Sequence, residues 1–562
     1  MYPSTVNLLS SSLFAHHYED APRLEHLERS YHRARAVGRH YGMTIDDILN
    51  SSPKFWRVHM DNIIVRDTTA HMLVTIQYNL VAGTVAPFAV HRRDLRGLMD
   101  EILNFDISCP FMLSELGHGC DARNIETTAT WQPDGSFRLN TPTRAATKFM
   151  PPSMPVAGIR RVAIVFARLL VNGEDRGLRP FIVPINDGKQ MVKGVKSWLF
   201  PEITGGRPLD HGLTSFEDVY LPPSALLGDL AKPTNMRDQF LSAIHRLTTG
   251  ALCVSLWTIP FLKCASFIVG KYSQNRTVQQ GIHGERAPIL SFRTQQLPVL
   301  HAVAQVAVME PFALWVTEQY NDLSLHPAAK HGLAVIVKAV FLQNSQGSLS
   351  DLIERSGAQG MYPHNQMGAF ESLARVTSIA EGEVLVVSIR LATELLLGRY
   401  NLPAAQRPDC LLAKHETGFV AELVDRLKDS TGHRGDQYNR YVLPQCRPMV
   451  LAIGQRMAYE AALDAGVDGD LLDLYEAGAV KSDPAWYVEK LGISREAQFE
   501  MECRAADAVL ARLDEHLDSF NIEPYCTAPM LSSDRWEEIV NAAPMFTGNA
   551  EYDVLTAIES KL

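Results

Sequence analysis

Residues 114–141 read SELGHGCDARNIETTATWQPDGSFRLNT. The second half alternates in character from Thr127 to Trp131 and from Ser136 to Leu139, on either side of Asp134-Gly135. An Asp-Gly pair supplies the positive φ angles that a tight hairpin turn needs, so we predict a β-hairpin here. The first half, residues 114–119, has two glycines and neither a helical nor a strand period. It predicts a loop whose backbone lies very close to another group.

The hairpin lies in a β-rich region with helical sequence on both sides. Residues 20–105 carry helical spacing, with Leu24, Leu27, Tyr31, Ala34 and Val37 on one face. Strand-like segments at 161–170 and 179–185 follow the hairpin, and helical periodicity returns beyond residue 235. We predict a mainly α protein with a central β-domain (α+β). Its four parts are an N-terminal helical domain (1–108), a small β-barrel-like domain (109–230), a helical bundle (231–400) and a C-terminal helical domain (401–562).

Composition excludes several classes of protein. Hydrophobic residues make up 46% and charged residues 21% of the 562 residues, as in ordinary globular proteins. The net charge of −10 gives no basic surface for nucleic acid. The eight cysteines form no Cys-x-x-Cys pair, which indicates neither a disulfide framework nor a metal site. No basic residue precedes Arg23, so we expect no secretory signal. No apolar run approaches the roughly 18 residues of a membrane span, so we predict none.

The chain ends in Ser560-Lys561-Leu562. Ser-Lys-Leu at the extreme C-terminus is the tripeptide that the peroxisomal import receptor reads. We therefore predict a peroxisomal protein that binds this receptor through its last three residues. The alternative is a helix that happens to stop at this sequence.

Five stretches in this order resemble the acyl-CoA dehydrogenase and acyl-CoA oxidase superfamily, and the oxidase branch in particular. SELGHG with ETTAT resembles the loop beside the flavin and the first strands of the β-domain. The other four are SFEDVYLPPSALLGD (215–229), KYSQNRT with SFRTQQ (271–277 and 291–296), SGAQGMY (356–362) and IAEGEV (379–384). Each motif alone is weak evidence, but the combination is specific.

The resemblance implies an FAD-dependent acyl-CoA oxidase. Such an enzyme introduces an α,β double bond into an acyl thioester, and dioxygen reoxidises the flavin to give hydrogen peroxide. It implies that FAD lies between the β-domain, the helices and a second subunit, which predicts a homodimer. The predicted contacts with FAD are Ser114, Arg276, Arg293, Gly357 and Glu383. Arg276 reaches the pyrophosphate of the neighbouring subunit's FAD in proteins of this kind, a role that suits the forked guanidinium.

Glu381 is the candidate catalytic base. It follows Gly357 by 24 positions, as the family spacing requires, and precedes the apolar run VLVVSI. A carboxylate desolvated against apolar surface has a raised pKa, which suits removal of an activated α-proton. On a regular helix Glu383 would point about 200° away from Glu381, so we expect only one of them to face the substrate. The alternative for Glu381 is a solvated acid in a first helical turn.

The chain departs from the family at three places. Residues 148–153 read KFMPPS where oxidases have Lys-Trp-Trp-Pro-Gly-Gly, and Pro152 has no N–H for the flavin contact of the family glycine. Gly-Gly-His-Gly-Tyr is replaced by residues 357–361, GAQGM, and the usual Gln of the second flavin helix by Arg293. Two further hypotheses therefore stay open. The protein is a flavin-dependent desaturase or oxidase of a specialised pathway that acts on a non-standard thioester or acid, or a non-catalytic assembly paralogue.

Overall fold

The computed structural model describes residues 4–15, 22–202, 209–428, 433 and 435–550. The N-terminal part consists of short and medium helices, several of which pack against the π-helical segment at residues 76–82. These helices are α1 (Val6–Leu9), α2 (Arg23–Tyr41), α3 (Ile45–Leu49), α4 (Pro53–His59), α5 (Thr68–Thr75), α6 (Gly83–Ala89) and α7 (Arg96–Leu103). A π-helical segment, Ile76–Ala82, joins α5 to α6 without a break.

The middle of the chain is a β-domain of two sheets. Its strands are β1 (Phe111–Met112), β2 (Thr128–Trp131), β3 (Phe137–Asn140), β4 (Lys148–Pro152), β5 (Arg161–Val171), β6 (Glu174–Asn186), β7 (Val195–Leu199), β8 (His211–Phe216) and β9 (Val219–Leu221). In the larger sheet β5 pairs antiparallel with β6 and parallel with β1 and β2, and β3 and β9 continue beyond β2. The smaller sheet has the order β4-β8-β7. A separate apolar core fills the space between the two sheets.

The predicted hairpin is present, with a wider turn than the sequence suggested. β2 and β3 pair antiparallel from Thr128 opposite Asn140 to Trp131 opposite Phe137. Gly135 has a φ of 84°, but Asp134 is not among the described residues with positive φ. Gln132 donates its N–H to the Ser136 carbonyl, which leaves three residues in the loop. This is the type I turn followed by a left-handed glycine, and not the two-residue turn.

Helices make up nearly all of the second half. A central group comprises α8 (Met236–Ala243), α9 (Arg246–Leu256), α10 (Thr258–Asn275), α11 (Arg293–Asn321), α12 (Pro327–Arg355), α13 (Met367–Ile379) and α14 (Val384–Leu396). A small ribbon, β10 (Thr277–Gln279) with β11 (Arg286–Pro288), separates α10 from α11. The last group is α15 (Leu411–Lys428), α16 (Cys446–Asp464), α17 (Gly469–Ser482), α18 (Pro484–Leu491), α19 (Arg495–Ala511), α20 (Leu513–Ser519) and α21 (Ser533–Ala542).

The helical parts share one apolar core. A single cluster of buried side chains runs from Phe14 through α9 to α12 and on to Ala528. Segments far apart in the chain meet at its edge, because the Thr5 hydroxyl bonds the Asp61 carboxylate at 2.6 Å and the Tyr525 hydroxyl at 2.8 Å. Within α2, Leu27, Tyr31, Ala34 and Val37 are buried as the helical spacing predicts, whereas Leu24 is 56% exposed. The four domain boundaries stay a prediction.

We predicted that no apolar run approaches the length of a membrane span, and with respect to composition this prediction was wrong. Three helical stretches are long and apolar enough to cross a membrane: 68–89, 236–275 and 293–321. Their most apolar windows are 78%, 100% and 61% buried inside the protein, so most of each window faces the interior. An apolar composition on most sides is typical of a helix buried in a protein core. The predicted targeting tripeptide, Ser560-Lys561-Leu562, lies outside the described residues.

Candidate active site

Glu381 lies in a short loop between α13 and α14 and not in a helix. Its φ is 57°, an unusual conformation for a residue with a side chain, and Gly382 follows with a φ of 93°. The residue as a whole is half-buried, yet its Oε2 is shielded from solvent and has no hydrogen-bond partner among the described residues. Burial raises the pKa of the Glu381 carboxyl to about 7, although the nearby Lys338 ammonium lowers it. The alternative of a solvated acid in a helical turn is therefore excluded.

The Glu383 side chain has a different role from that of Glu381. It is the N-cap of α14, and its carboxylate accepts the N–H groups of Leu385 at 3.0 Å and Val386 at 2.9 Å. The helical-wheel argument that separated the two acids was wrong, because α14 begins only at Val384. Its conclusion that the two carboxylates face different ways agrees with the structure. The predicted contact of Glu383 with FAD stays a prediction.

Lys338 holds the Glu381 loop in place. This lysine is fully buried within α12, and its Nζ donates to the carbonyls of Ala380 and Gly382, the two residues that flank Glu381. Burial lowers the pKa of Lys338 to about 8, while the charges of Glu381 and Glu383 raise it. A cation bonded to both neighbours of Glu381 fixes the loop and keeps a positive charge near the carboxylate.

Gly250 of α9 lies against the Glu381 carboxylate, which occupies the space that a side chain at position 250 would fill. A Cβ on Gly250 would lie 2.7 Å from Glu381 Oε2 and 2.9 Å from Nδ2 of Asn79. Asn79 belongs to the π-helical segment, is fully buried, and donates from Nδ2 to the Arg246 carbonyl at 3.2 Å. The carboxylate thus lies where α9, the π-helical segment and the 380–383 loop meet.

Ser114 lies at the surface of the β-domain. Its side chain is exposed, and its carbonyl accepts the N–H of Phe149 in β4. The glycine-containing loop that follows approaches its own chain: a Cβ on Gly117 would lie 2.7 Å from that of Ala145. Beneath it, Glu115 and Lys148 form a fully buried ion pair at 3.0 Å. The close approach predicted for this loop is therefore an internal one.

Arg276, Arg293 and Gly357 lie at adjoining helix ends. Arg276 follows α10, Arg293 begins α11 and Gly357 follows α12. The buried Gln295 side chain ties these ends together, since its Nε2 donates to the Ser273 hydroxyl at 2.8 Å and the Arg355 carbonyl at 3.1 Å.

These three residues differ in the contacts they make with the rest of the protein. The exposed Arg276 forms no ion pair with any described residue, whereas Arg293 pairs with Asp507 of α19. Gly357 has a φ of 61°, with open space where a side chain would be. In the described parts of the chain, no hydrogen bond or ion pair joins these residues to Ser114 or Glu381.

A cavity of about 470 Å³ lies elsewhere, between α11, α12, α16 and α17. Its lining includes His301 and Lys481 but none of the predicted site residues. We place the site at Glu381 because a buried carboxylate without a partner is a stronger sign of chemistry than cavity size. Within the described ranges, no group of three or more His, Cys, Asp or Glu side chains could hold a metal ion.

Comparison with known proteins finds similarity to one group of enzymes. No family model matches the chain. It is 24% identical over 397 residues, 66% of its length, to peroxisomal acyl-coenzyme A oxidase 2 of Arabidopsis thaliana, and 27% identical over 318 residues, 52% of its length, to human peroxisomal acyl-coenzyme A oxidase 3. The chain is therefore similar in sequence to acyl-CoA oxidases. The matches cover 57% and 45% of those two proteins, so the chain spans about half the length of the curated relatives it matches.

Solved acyl-CoA oxidases share the fold. Acyl-CoA oxidase 1 of Yarrowia lipolytica superimposes with a TM-score of 0.80 at 16% identity, covering 96% of this chain and 89% of that one. Acyl-CoA oxidase-1 of Caenorhabditis elegans, crystallised with FAD and ATP, gives a TM-score of 0.70 at 17% identity, with 97% and 99% covered. The resemblance and the fold class inferred from sequence are therefore confirmed.

The sequence singled out Glu381 as the candidate base but not the residues that surround it in the structure. Lys338 is the single charge in the apolar run GLAVIVKAVFL, and a lone lysine in so apolar a segment indicates a buried, paired charge. Gly250 and Asn79 gave no such signal, because their importance depends on contacts between distant segments.

Proposed function

We propose that this protein is an FAD-dependent acyl-CoA oxidase with Glu381 as its catalytic base. The observation that carries the proposal is the Glu381 carboxylate, which is buried, has no hydrogen-bond partner among the described residues and has a pKa of about 7. A base with this pKa is substantially ionised at neutral pH and still accepts a proton readily. Bound FAD would accept the β-hydride and pass the electrons to dioxygen, which gives hydrogen peroxide.

The protein's own groups can carry the proton chemistry. Glu381 takes the α-proton of the acyl thioester, and Lys338 holds the loop that presents it. Negative charge then develops on the thioester oxygen and needs a hydrogen-bond donor. The backbone N–H of Glu381 makes no hydrogen bond to a described residue, so it is free to serve as that donor.

Several residues fit FAD. Arg276 offers an exposed guanidinium for a pyrophosphate, and the open space beside Gly357 lets a ligand approach the backbone. Ser114 is exposed on the β-domain and offers a hydroxyl. Arg293 already pairs with Asp507, and Glu383 already caps α14, so their contacts with FAD are the weaker part of the proposal.

The proposed setting is a homodimer in the peroxisome. The relatives from Arabidopsis and human are named peroxisomal, and the Ser-Lys-Leu end supports binding of the import receptor. The second candidate, a flavin enzyme for a non-standard thioester or acid, is supported by Pro152. This residue lies in β4 opposite His211, beside an irregularity in the strand pairing, and has no N–H to offer the flavin. The non-catalytic alternative is disfavoured by the presence and burial of Glu381.

Glu381→Gln tests the proposal. This variant keeps the size and hydrogen bonding of the side chain but removes the base, so we expect FAD to bind as before. Flavin reduction by substrate should slow by about 10²–10⁴-fold, the usual contribution of a positioned base. The measurement is the bleaching of visible flavin absorption after anaerobic mixing with an acyl-CoA. Glu371→Gln, which removes a carboxylate that pairs with Arg375 one turn along α13, is the control. Equal bleaching rates for wild type and Glu381→Gln would refute the assignment.

A further inference from the structure

Asn79 is a buried amide whose hydrogen bonds are incomplete. It belongs to the π-helical segment and is fully buried. Its Nδ2 carries two hydrogens, of which one is donated to the Arg246 carbonyl at 3.2 Å and the other to no described residue. Its Oδ1 is shielded from solvent and has no hydrogen-bond partner within the described part of the chain. A buried polar group left in this state lowers the stability of the fold, so its presence indicates another role.

Gln77 of the same segment shows how an amide with a purely structural role is bonded. Its Nε2 donates to the carbonyls of Ile102 and Ile107, both at 2.9 Å, and its Oε1 accepts the N–H of Cys109 at 2.9 Å. Gln77 therefore ties the segment to the end of α7 with both of its polar atoms satisfied. Asn79, two residues further on, contributes far less to the fold, and π-helical segments are frequent at functional sites.

The Asn79 amide lies beside the Glu381 carboxylate. The point that a Cβ of Gly250 would occupy is 2.7 Å from Glu381 Oε2 and 2.9 Å from Asn79 Nδ2. Outside the local backbone of α9, these two atoms and Cδ of Glu381 are the three nearest to that point. The amide nitrogen and the carboxylate oxygen therefore border the same small space above Gly250.

The two oxygens of the Glu381 carboxylate have different surroundings. Oε2, the oxygen beside Gly250 and Asn79, is shielded from solvent and has no described partner. Oε1 also has no described partner, but it is not shielded from solvent, so it is the oxygen that a substrate can reach. Lys338 bonds the carbonyls on either side of Glu381 and leaves the carboxylate itself unbonded. A donor at Oε2 would fix the plane of the carboxylate and the direction of Oε1.

We infer that Asn79 is a positioning residue for Glu381, because its second Nδ2 hydrogen is placed to bond Oε2 and to hold Oε1 towards the α-proton. This inference rests on the proposed function and adds the residue that orients its base. Hydrogen bonds of an active site are often long in the free enzyme and shorten in the complex with substrate. Two hydrogen bonds with α9 hold the amide ready, since Arg246 accepts from Nδ2 and its Nε donates to the Asn79 carbonyl at 2.9 Å.

Asn79→Leu removes the donor at nearly constant volume. A donor stabilises the ionised carboxylate, so its loss should raise the pH midpoint of flavin reduction by octanoyl-CoA by about one unit. The titratable groups that face the carboxylate, Lys338 of α12 and Cys253 of α9, are the same in both proteins. At pH 9, where the base is largely ionised, the limiting rate should still be about tenfold lower, because the carboxylate is no longer held. The octanoyl-CoA concentration that gives half of this rate should not change.

Gln77→Met is the matched control. It breaks three hydrogen bonds of the same segment, so it should lower the thermal unfolding temperature and leave the pH midpoint as in wild type. If Asn79→Leu behaves like this control, Asn79 is structural and the inference fails. If Asn79→Leu changes only the half-saturating octanoyl-CoA concentration, Asn79 contacts the substrate and the inference fails as well. If Asn79→Leu does not fold, Asn79→Ser decides, because its shorter donor should give a smaller rise of the midpoint above wild type.

Infrared spectra of the holoenzyme separate this inference from the proposed function. The C=O stretch of a protonated carboxyl reports the Glu381 titration without turnover, and its loss in Glu381→Gln assigns the band. The spectra are recorded with S-octyl-CoA, a thioether that has no acidic α-proton. If octanoyl-CoA does not reduce the wild-type flavin while Asn79→Leu raises the midpoint of this band, the oxidase proposal fails and the Asn79 assignment stands. If octanoyl-CoA reduces the flavin and the midpoint is the same in both proteins, the Asn79 assignment fails and the oxidase proposal stands.

Discussion

At the scale of single residues, the environment of Glu381 decides its chemistry more than its identity does. The sequence can place an acid at the family position, but the pKa of about 7 comes from burial, and Lys338 limits the rise. Lys338 was not predicted because it acts on carbonyls 42 and 44 positions away in the chain. Contacts of this separation leave no periodic pattern in one sequence.

The pH dependence of flavin reduction follows from this environment. A base must be ionised to act, so we expect the limiting rate to rise about tenfold per pH unit below pH 7 and to level off above it. Lys338→Met removes the charge that lowers the Glu381 pKa. The midpoint of the pH profile of flavin reduction should therefore move to higher pH. The groups that face the carboxylate besides Lys338 are Cys253 and Asn79, neither of which titrates in this range.

Lys338→Met should also lower the limiting rate by about 10- to 100-fold, because the loop loses both of its anchors. Lys263→Met is the control: Lys263 is 8% exposed and pairs with Glu310 on α11, so its loss leaves the Glu381 loop intact. Stopped-flow reduction between pH 5.5 and 9 measures both effects. An unchanged midpoint would show that Lys338 only supports the fold.

Gly250→Ala tests the space that the carboxylate occupies. The new methyl would lie 2.7 Å from Glu381 Oε2, closer than any real contact, so the acid must move. A misplacement of this order costs about 100-fold in rate. Gly97→Ala on α7 is the control, since nothing lies within 4 Å of its Cβ position. Normal reduction by Gly250→Ala would place the active carboxylate elsewhere.

At the scale of elements, the sequence predicted the helices and strands that have a strong hydrophobic periodicity. It missed the segments with irregular backbone structure. The hairpin, β5, β6 and the long central helices carry their pattern locally, and they are present. The π-helical segment at 76–82 and the 380–383 loop have no such pattern, and both touch the proposed site. The sequence suggested that Glu381 begins the helix that follows it, whereas α14 begins only at Val384 and Glu381 lies in the preceding loop.

Strand β4 offers a prediction at this scale. The family resemblance implies that Pro152 stands where related oxidases have a glycine that contacts the flavin through its backbone N–H, and proline has no N–H. Pro152→Gly restores the donor, so we expect FAD affinity to rise about threefold to tenfold, the net value of one hydrogen bond. Titration of apoprotein with FAD, followed by quenching of flavin fluorescence, measures it. Pro151→Gly adds the same flexibility one residue earlier in β4 and should not tighten binding.

At the scale of the whole molecule, the proposed site residues fall into two groups. Within the described parts of one subunit, no hydrogen bond or ion pair connects the two groups. Glu381 lies with Lys338 and Gly250, whereas Arg276 and Gly357 lie at the adjoining helix ends near Gln295. The order of the helical and β parts was predictable from composition along the chain. The family resemblance already implied that Arg276 serves the neighbouring subunit, whereas the packing of Glu381 against Gly250 could not be predicted, because it depends on contacts between distant segments.

The separation suggests that each active site of a dimer takes Glu381 from one subunit and Arg276 from the other. Homodimers of Glu381→Gln and of Arg276→Ala should then both be impaired, the first in flavin reduction and the second in FAD binding. Coexpressed and purified through different tags, their heterodimer has one site with both native residues and one site with neither. We expect this heterodimer to regain about half of the wild-type activity.

The heterodimer also discriminates against the opposite arrangement. If Glu381 and Arg276 served the same site from one subunit, every site of the heterodimer would carry one defect, and activity would stay as low as in the parents. A heterodimer of Glu381→Gln with Glu381→Gln, Arg276→Ala is the control, because neither of its sites has the base under either arrangement. Since rescue requires a native residue from each chain at one site, it would establish both the dimer and the shared cofactor site in one measurement.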